Sequence, residues 1–326
     1  MAQLTLYGFH WPENYLTENT LGRSRLTFLC LQLGPRCYAR CLYCFSGPEL
    51  GIEPKHPLSL HEYRRLIEEA KLLGLRTVVY PGVGEPLLDS KIKELVEFST
   101  DLGVTSVVYT CGIIDEHTLA FLRSRDVSLI LKIDSLDPPT YERLVGVPFE
   151  RFQESLRRIL HVYHDGHQEA DGRVLTRLAA NTVVTRLNKH HVESIAGLCQ
   201  QHGVIHFVET LSKVGAAAEH WEELVGDELP ELAKIAERYG RWVSSGTIDG
   251  RCGLYAHGIT VDVNGDLLAC PTSRWIRLAN AREHTVRELI RICVEGVHTS
   301  RPRYCLAREL SLAEKDGLRN LAGGSE

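Results

Sequence analysis

The sequence predicts an α/β fold with a parallel sheet, and three observations lead there. Short apolar, β-rich runs alternate with amphipathic stretches of helical spacing from Thr27 onward. These runs are nearly continuous in apolar residues, as strands covered on both faces are. The residues with evident chemistry follow strand ends, which favours an open partial barrel of six βα units over a doubly wound sheet.

The strand candidates are "TFLCLQL" (27–33), "RTVVYPG" (76–82), "VTSVVYT" (104–110), "VSLILKI" (127–133), "RLAANTVVT" (177–185) and "VIHFVETL" (204–211). Between them, "SLHEYRRLIEEAKLLG" opens at Ser59 and stops at Gly74, and "SKIKELVEFSTDLG" runs from Ser90 to Gly103. A helix after Asp115, another over 149–163 and a last one over 188–203 complete the alternation, and 164–174 reads as a surface loop. Beyond about residue 245 the pattern changes. "HGITVDVNGDLLACP" alternates on both sides of Asn264-Gly265, which predicts a hairpin closed by a type I′ turn. A helix over 285–297 follows. The expected organisation is an N-terminal extension (1–26), a barrel (27–245) and a small hairpin-plus-helix domain (246–326).

Composition excludes several classes. With 326 residues, 44% hydrophobic and 24% charged, and a net charge of −5, the chain has no basic footprint for nucleic acid and no disordered signature. The N-terminus lacks a secretory pattern, and no apolar run reaches the roughly 18 residues that span a bilayer. A cytoplasmic chain with neither nucleic-acid nor membrane partners is expected. In that compartment ten cysteines argue for metal or redox chemistry over disulfides. Cys30, Cys111, Cys199 and Cys293 lie in apolar segments and read first as small buried hydrophobes.

Three cysteines gather in "PRCYARCLYCF" (35–45), directly after the first strand. A structural zinc site takes four closed ligands. Three thiolates on an iron–sulfur cube instead leave one iron free to chelate an added ligand.

The spacing Cys37-x3-Cys41-x2-Cys44, with Tyr43 before the last thiol, resembles the signature of radical S-adenosylmethionine enzymes. The second strand ends in Gly82-Val83-Gly84-Glu85-Pro86, which looks like the family's GGEP motif with one residue interposed. There, glycines allow close backbone approach and Glu85 accepts from the methionine ammonium; the bland alternative is a plain βα turn. In "KIDSLDPP", Ser135 or Asp134 is placed like the family's ribose contact, and Asn181 of "AANTVVTRLN" like a residue near the sulfonium or carboxylate. Each is equally readable as a strand-end polar residue without a ligand. The resemblance covers roughly 25–212 and implies a (β/α)6 TIM-like partial barrel.

Cys252 and Cys270 bracket the hairpin as C-x12-G-x4-C, counting Gly265. This resembles the opening of SPASM and twitch domains, and the low cysteine number fits the shorter twitch form with a second, auxiliary [4Fe-4S] cluster. Cys305 is the implied third ligand, Cys293 a candidate fourth, and a structural zinc ribbon the alternative.

The resemblance implies cofactors and a reaction. A [4Fe-4S] cluster binds S-adenosylmethionine, and an electron from an external donor such as flavodoxin or ferredoxin cleaves it to a 5′-deoxyadenosyl radical. That radical abstracts hydrogen from a small polar metabolite such as a sugar, aminocyclitol or nucleoside. Oxidation of an alcohol carbon, with the auxiliary cluster taking the second electron, is the leading expectation. The alternatives are redox-neutral epimerisation with Cys111 as hydrogen-atom donor, decarboxylation, carbon–carbon bond formation, peptide maturation, and a non-catalytic iron–sulfur or zinc protein.

Overall fold

The computed structural model describes residues 4–9, 21–164, 167–168, 174–240, 257–272 and 276–298. A short strand β1 (Leu4–Leu6) precedes β2 (Phe28–Leu31), β3 (Thr77–Tyr80), β4 (Thr105–Thr110) and β5 (Ser128–Lys132). Next come β6 (His167–Gln168), β7 (Val174–Thr176), β8 (Leu178–Val184) and β9 (Ile205–Thr210), then β10 (Gly258–Val261), β11 (Asp266–Leu268) and β12 (Arg277–Asn280). The helices are α1 (Leu60–Leu72), α2 (Ile92–Asp101), α3 (Glu116–Ser124), α4 (Pro138–Val145), α5 (Phe149–Val162) and α6 (Val192–Gln201). Further along lie α7 (Ala216–Glu219), α8 (Trp221–Leu224), α9 (Leu229–Tyr239) and α10 (Val286–Cys293).

The expected strands pair in parallel as β2-β3-β4-β5-β8-β9, with registers Phe28↔Thr77, Thr77↔Thr105, Val107↔Ser128, Leu129↔Leu178 and Ala179↔Ile205. Local chemistry explains the elements between them. α1 starts at a capping box in which the Ser59 and Glu62 side chains each take the other's backbone N–H. It buries Tyr63, Leu66, Ile67 and Ala70, the i, i+3, i+4, i+7 stripe of a helix lying on a sheet. Asp137 caps α4, and Gly146 ends it at φ +71°, where a side chain would be strained.

Each strand shows two faces. Leu29, Leu31, Val78, Val108, Leu129, Leu131, Ala180 and Val208 pack outward into the large core beneath the helices. Phe28, Cys30, Val79, Val107, Ile130, Ala179, Ile205 and Phe207 point inward and form a second, apolar cluster with Leu6. The α/β fold with a parallel sheet is thus present, and its inner surface is apolar in these lower rows.

Two local expectations differ. The segment read as a loop over 164–174 contains β6 and the first residue of β7, strands that join β1 in a small sheet with Leu4↔Val174 and Thr5↔Leu175. A partner 170 residues away leaves no trace in local pattern. Within the expected extension, residues 4–9 close the barrel floor: Thr77 Oγ1 donates to the Gly8 carbonyl at 2.7 Å and Ser128 Oγ to that of Tyr7 at 2.7 Å. The hairpin turn also differs. Gly265 has φ +88°, but Asn264 does not have the positive φ that a type I′ turn requires. Instead Val263, Asn264 and Gly265 form a three-residue loop, because Asp262 Oδ1 accepts from the Asn264 and Asp266 amides at 2.8 and 2.9 Å.

The hairpin continues the barrel sheet. β10 runs parallel to β2 over Gly258↔Phe28 to Val261↔Leu31, and β11 and β12 follow antiparallel, giving nine strands in the order β12-β11-β10-β2-β3-β4-β5-β8-β9. The expected boundary at 245/246 lies outside the described residues. No helix among the described residues is long and apolar enough to cross a membrane.

Candidate active site

Above the apolar floor, the next inward positions change character. Two residues on from Cys30, Val107, Ile130, Ala179 and Phe207 stand Gln32, Tyr109, Lys132, Asn181 and Glu209; Cys111 and Asp134 lie one step higher. The C-terminal ends of the strands therefore carry a polar mouth over a dry base.

The three-cysteine loop lies over this mouth, held by backbone contacts on several sides. The Arg40 and Leu42 amides donate to the Val145 and Leu144 carbonyls of α4, at 2.9 and 3.0 Å. The Glu85 amide donates to the Arg36 carbonyl at 2.7 Å, and the Ala216 amide to that of Cys44 at 2.9 Å. Gly84 is required at this approach: a Cβ there would lie 2.2 Å from the Arg36 oxygen.

Cys37, Cys41 and Cys44 are each half-buried and free of disulfides. Burial, reinforced by neighbouring charges, pushes the Cys37 thiol up to about 11; burial first and Cys44 second raise Cys41, and burial raises Cys44. Among the described residues no three His, Cys, Asp or Glu side chains converge tightly enough to hold a single metal ion. An iron–sulfur cube makes a different demand, since each thiolate binds its own iron. Three thiols on one backbone-pinned loop, within electrostatic reach of one another, fit that demand.

The remaining expected residues fall into distinct settings. The Tyr43 hydroxyl donates to Asp134 Oδ2, its ionisation raised well above the usual range by burial and by that carboxylate. Gly82 has φ +71°, and a Cβ there would meet the Gly84 oxygen at 2.3 Å. Glu85 is buried, and its carboxylate accepts from the Cys111 amide at 2.8 Å and the Leu87 amide at 3.3 Å, so it ties the end of β3 to that of β4. Burial raises its pKa. Ser135 Oγ accepts from the Asp137 amide at 3.0 Å within its own turn, whereas Asp134 faces the mouth. The buried Cys111 thiol stands beside Glu85, raised well above its ordinary value by burial and then by that carboxylate.

Asn181 belongs to a chain that local pattern missed. Lys132 Nζ donates to Asp134 Oδ1 and Asn181 Oδ1, both at 3.1 Å, and lies 4.9 Å from the Tyr43 ring centre. Asn181 Nδ2 in turn donates to Glu209 Oε1 at 2.8 Å. Three adjacent strands, β5, β8 and β9, are thereby linked to the cysteine loop through Tyr43 and Asp134. Lys132 and Glu209 leave one sequence signal: each is an ionisable residue two positions beyond an inward apolar one, Ile130 and Phe207.

Of the cysteines expected near the hairpin, Cys252 and Cys305 lie outside the described residues. Cys270 is buried after β11, with Sγ 3.2 Å from Thr272 Oγ1. Cys293 is 1% exposed in the outer apolar core with Val286, Leu289 and Ile290, and burial pushes its thiol up to about 12.

Residues 31–175 match the family model described as the Radical SAM superfamily. The chain is 28% identical over 171 residues to the AdoMet-dependent heme synthase of Nitratidesulfovibrio vulgaris, covering 52% of this chain and 43% of that protein. It is 26% identical over 193 residues to the GTP 3′,8-cyclase of Desulforamulus reducens, covering 57% and 56%. The chain thus spans about half the length of both relatives. The crystal structure of Streptococcus suis SuiB bound to S-adenosylmethionine superposes with a TM-score of 0.62 at 18% identity, over 82% of this chain and 65% of that one, a likeness of fold.

Proposed function

We propose, from the match of residues 31–175 to the Radical SAM superfamily model, that the chain is a radical S-adenosylmethionine enzyme abstracting hydrogen from a small polar metabolite. The observation that carries this reading is the placement of three half-buried thiols on a pinned loop directly over the polar mouth. Cys37, Cys41 and Cys44 would hold a [4Fe-4S] cluster, with the edge formed by Gly82, Gly84 and Glu85 and the amide of Asn181 beside the bound S-adenosylmethionine. Together, the cluster and S-adenosylmethionine supply a 5′-deoxyadenosyl radical when an external donor such as flavodoxin or ferredoxin provides the electron. The protein's contribution is positional. Tyr43 and Asp134 fix the loop against β5, and the apolar floor of Phe28, Val107 and Phe207 keeps water from the base of the cavity.

Oxidation of an alcohol carbon is the preferred outcome, with a second cluster on Cys252, Cys270 and Cys305 as electron acceptor. The inward position of Cys111 supports a redox-neutral second reading, in which its thiol returns a hydrogen atom to the substrate carbon.

Anaerobic reconstitution tests the main reading. The protein is expected to take up about eight irons and, with reductant, to convert S-adenosylmethionine to 5′-deoxyadenosine. Zinc in place of iron, or no cleavage, overturns it. About four irons with cleavage intact would remove only the second cluster.

A further inference from the structure

The chain Lys132–Asn181–Glu209 has a fixed direction. A lysine ammonium only donates, so the end of Asn181 that faces it must be the oxygen, and the amide NH2 is left facing Glu209. Glu209 Oε1 receives that NH2 at 2.8 Å, while Oε2 has no hydrogen bond among the described residues. Glu209 is half-buried and inward, on the same face of β9 as Phe207. A carboxylate oxygen is therefore held at the mouth and presented as an acceptor.

Gln32, on the inner face of the same sheet, presents a second acceptor. Its Nε2 donates to the Pro271 carbonyl at 2.9 Å. Because Pro271 offers a carbonyl oxygen there, the amide cannot be turned round. Among the described residues Gln32 Oε1 is left buried and unpartnered, with the residue 0% exposed. A buried acceptor without a donor is destabilising, which a ligand bearing donors would relieve.

We infer that Glu209 is a specificity-determining residue of the barrel, accepting a hydrogen bond from a hydroxyl or ammonium group of the substrate. The preferred substrate is a donor-rich amine or polyol, and carboxylated analogues of the same ring are rejected. This rests on the reading above, in which the mouth is the substrate site. Glu209→Gln has a defined consequence: Asn181 Nδ2 holds the new amide oxygen, so the NH2 faces the ligand and the presented group changes from acceptor to donor.

The test uses the full chain, anaerobically reconstituted with S-adenosylmethionine present, and measures binding of glucosamine and glucuronate by calorimetry. The unmodified protein is expected to bind glucosamine at least tenfold more tightly. E209Q should lose about tenfold for glucosamine and gain for glucuronate, and E209D, which keeps the carboxylate, should retain the preference. Equal binding of the two probes, binding of neither, or an unchanged ratio in E209Q overturns the proposal. So does loss of the preference in E209D as well as E209Q, which would make Glu209 part of the frame. A tenfold loss of S-adenosylmethionine affinity in E209Q with the probe ratio intact would assign the acceptor to that ligand instead. Absence of S-adenosylmethionine cleavage with the probe preference intact removes the radical reading alone.

Discussion

Cys37, Cys41 and Cys44 lie on a loop held by other segments' backbone groups, half-exposed, beside an ammonium, a tyrosine and a buried carboxylate. Cys293 occupies one turn of an amphipathic helix, closed in by Val286, Leu289 and Ile290. The thiols are chemically identical, and their surroundings separate a proposed ligand from a packing unit. A cluster needs sulfur that can lose its proton and reach iron, whereas a core position needs a small apolar volume.

The contrast is broken most directly by removing one thiol from the loop. Cys44→Ala is expected to abolish S-adenosylmethionine cleavage and release about four irons per chain, measured colorimetrically; retained cleavage would show that the loop is not the cluster site. Next in size, Asp134→Ala takes partners from the Tyr43 hydroxyl, Lys132 and the Val183 amide together. Breaking this buried pair should cost about 3–5 kcal/mol in urea unfolding. A cost near zero would mean that the network does not brace the loop.

His206 tests the packing side. Its Nε2 lies 2.8 Å from Thr182 Oγ1, and burial lowers the imidazole from 6.5 to about 4. The unfolded chain takes up a proton at the higher value and the folded chain resists it. Stability from this group is therefore complete above pH 6.5 and is lost as pH falls towards about 4, by up to roughly 3 kcal/mol. His206→Gln should flatten that part of the pH profile, and an unchanged slope would place the acid sensitivity elsewhere. The smallest effect belongs to Cys293→Ala: about 1 kcal/mol of stability, with iron content and cleavage unchanged. A loss of about four irons would move Cys293 into the ligand class and close much of the contrast.

Local pattern carries the barrel because each apolar run is self-contained: "VSLILKI" is a strand wherever it pairs. The cysteine loop is legible for the same reason, since its chemistry depends on spacing within eight residues. Lys132 and Glu209 are not, because their meaning lies in Asn181 on the strand between them and becomes visible only when β5, β8 and β9 are in register. The floor strand Leu4–Leu6 is hidden likewise by its distant partner, Val174–Thr176. Glu85 shows the opposite limit: its motif is plain in the sequence, yet its carboxylate serves the Cys111 and Leu87 amides.

The hydrogen-bonded rungs between β10 and β2 have a consequence for how the chain is cut. β2, "FLCL", is apolar on both faces, and β10 covers the edge left open when β3 takes the other side. A shortened chain ending before the hairpin would bare an uncharged, pairing-competent strand immediately ahead of the cysteine loop. Such an edge recruits other chains. The hairpin therefore also covers an edge along which a shortened barrel would pair with its own copies.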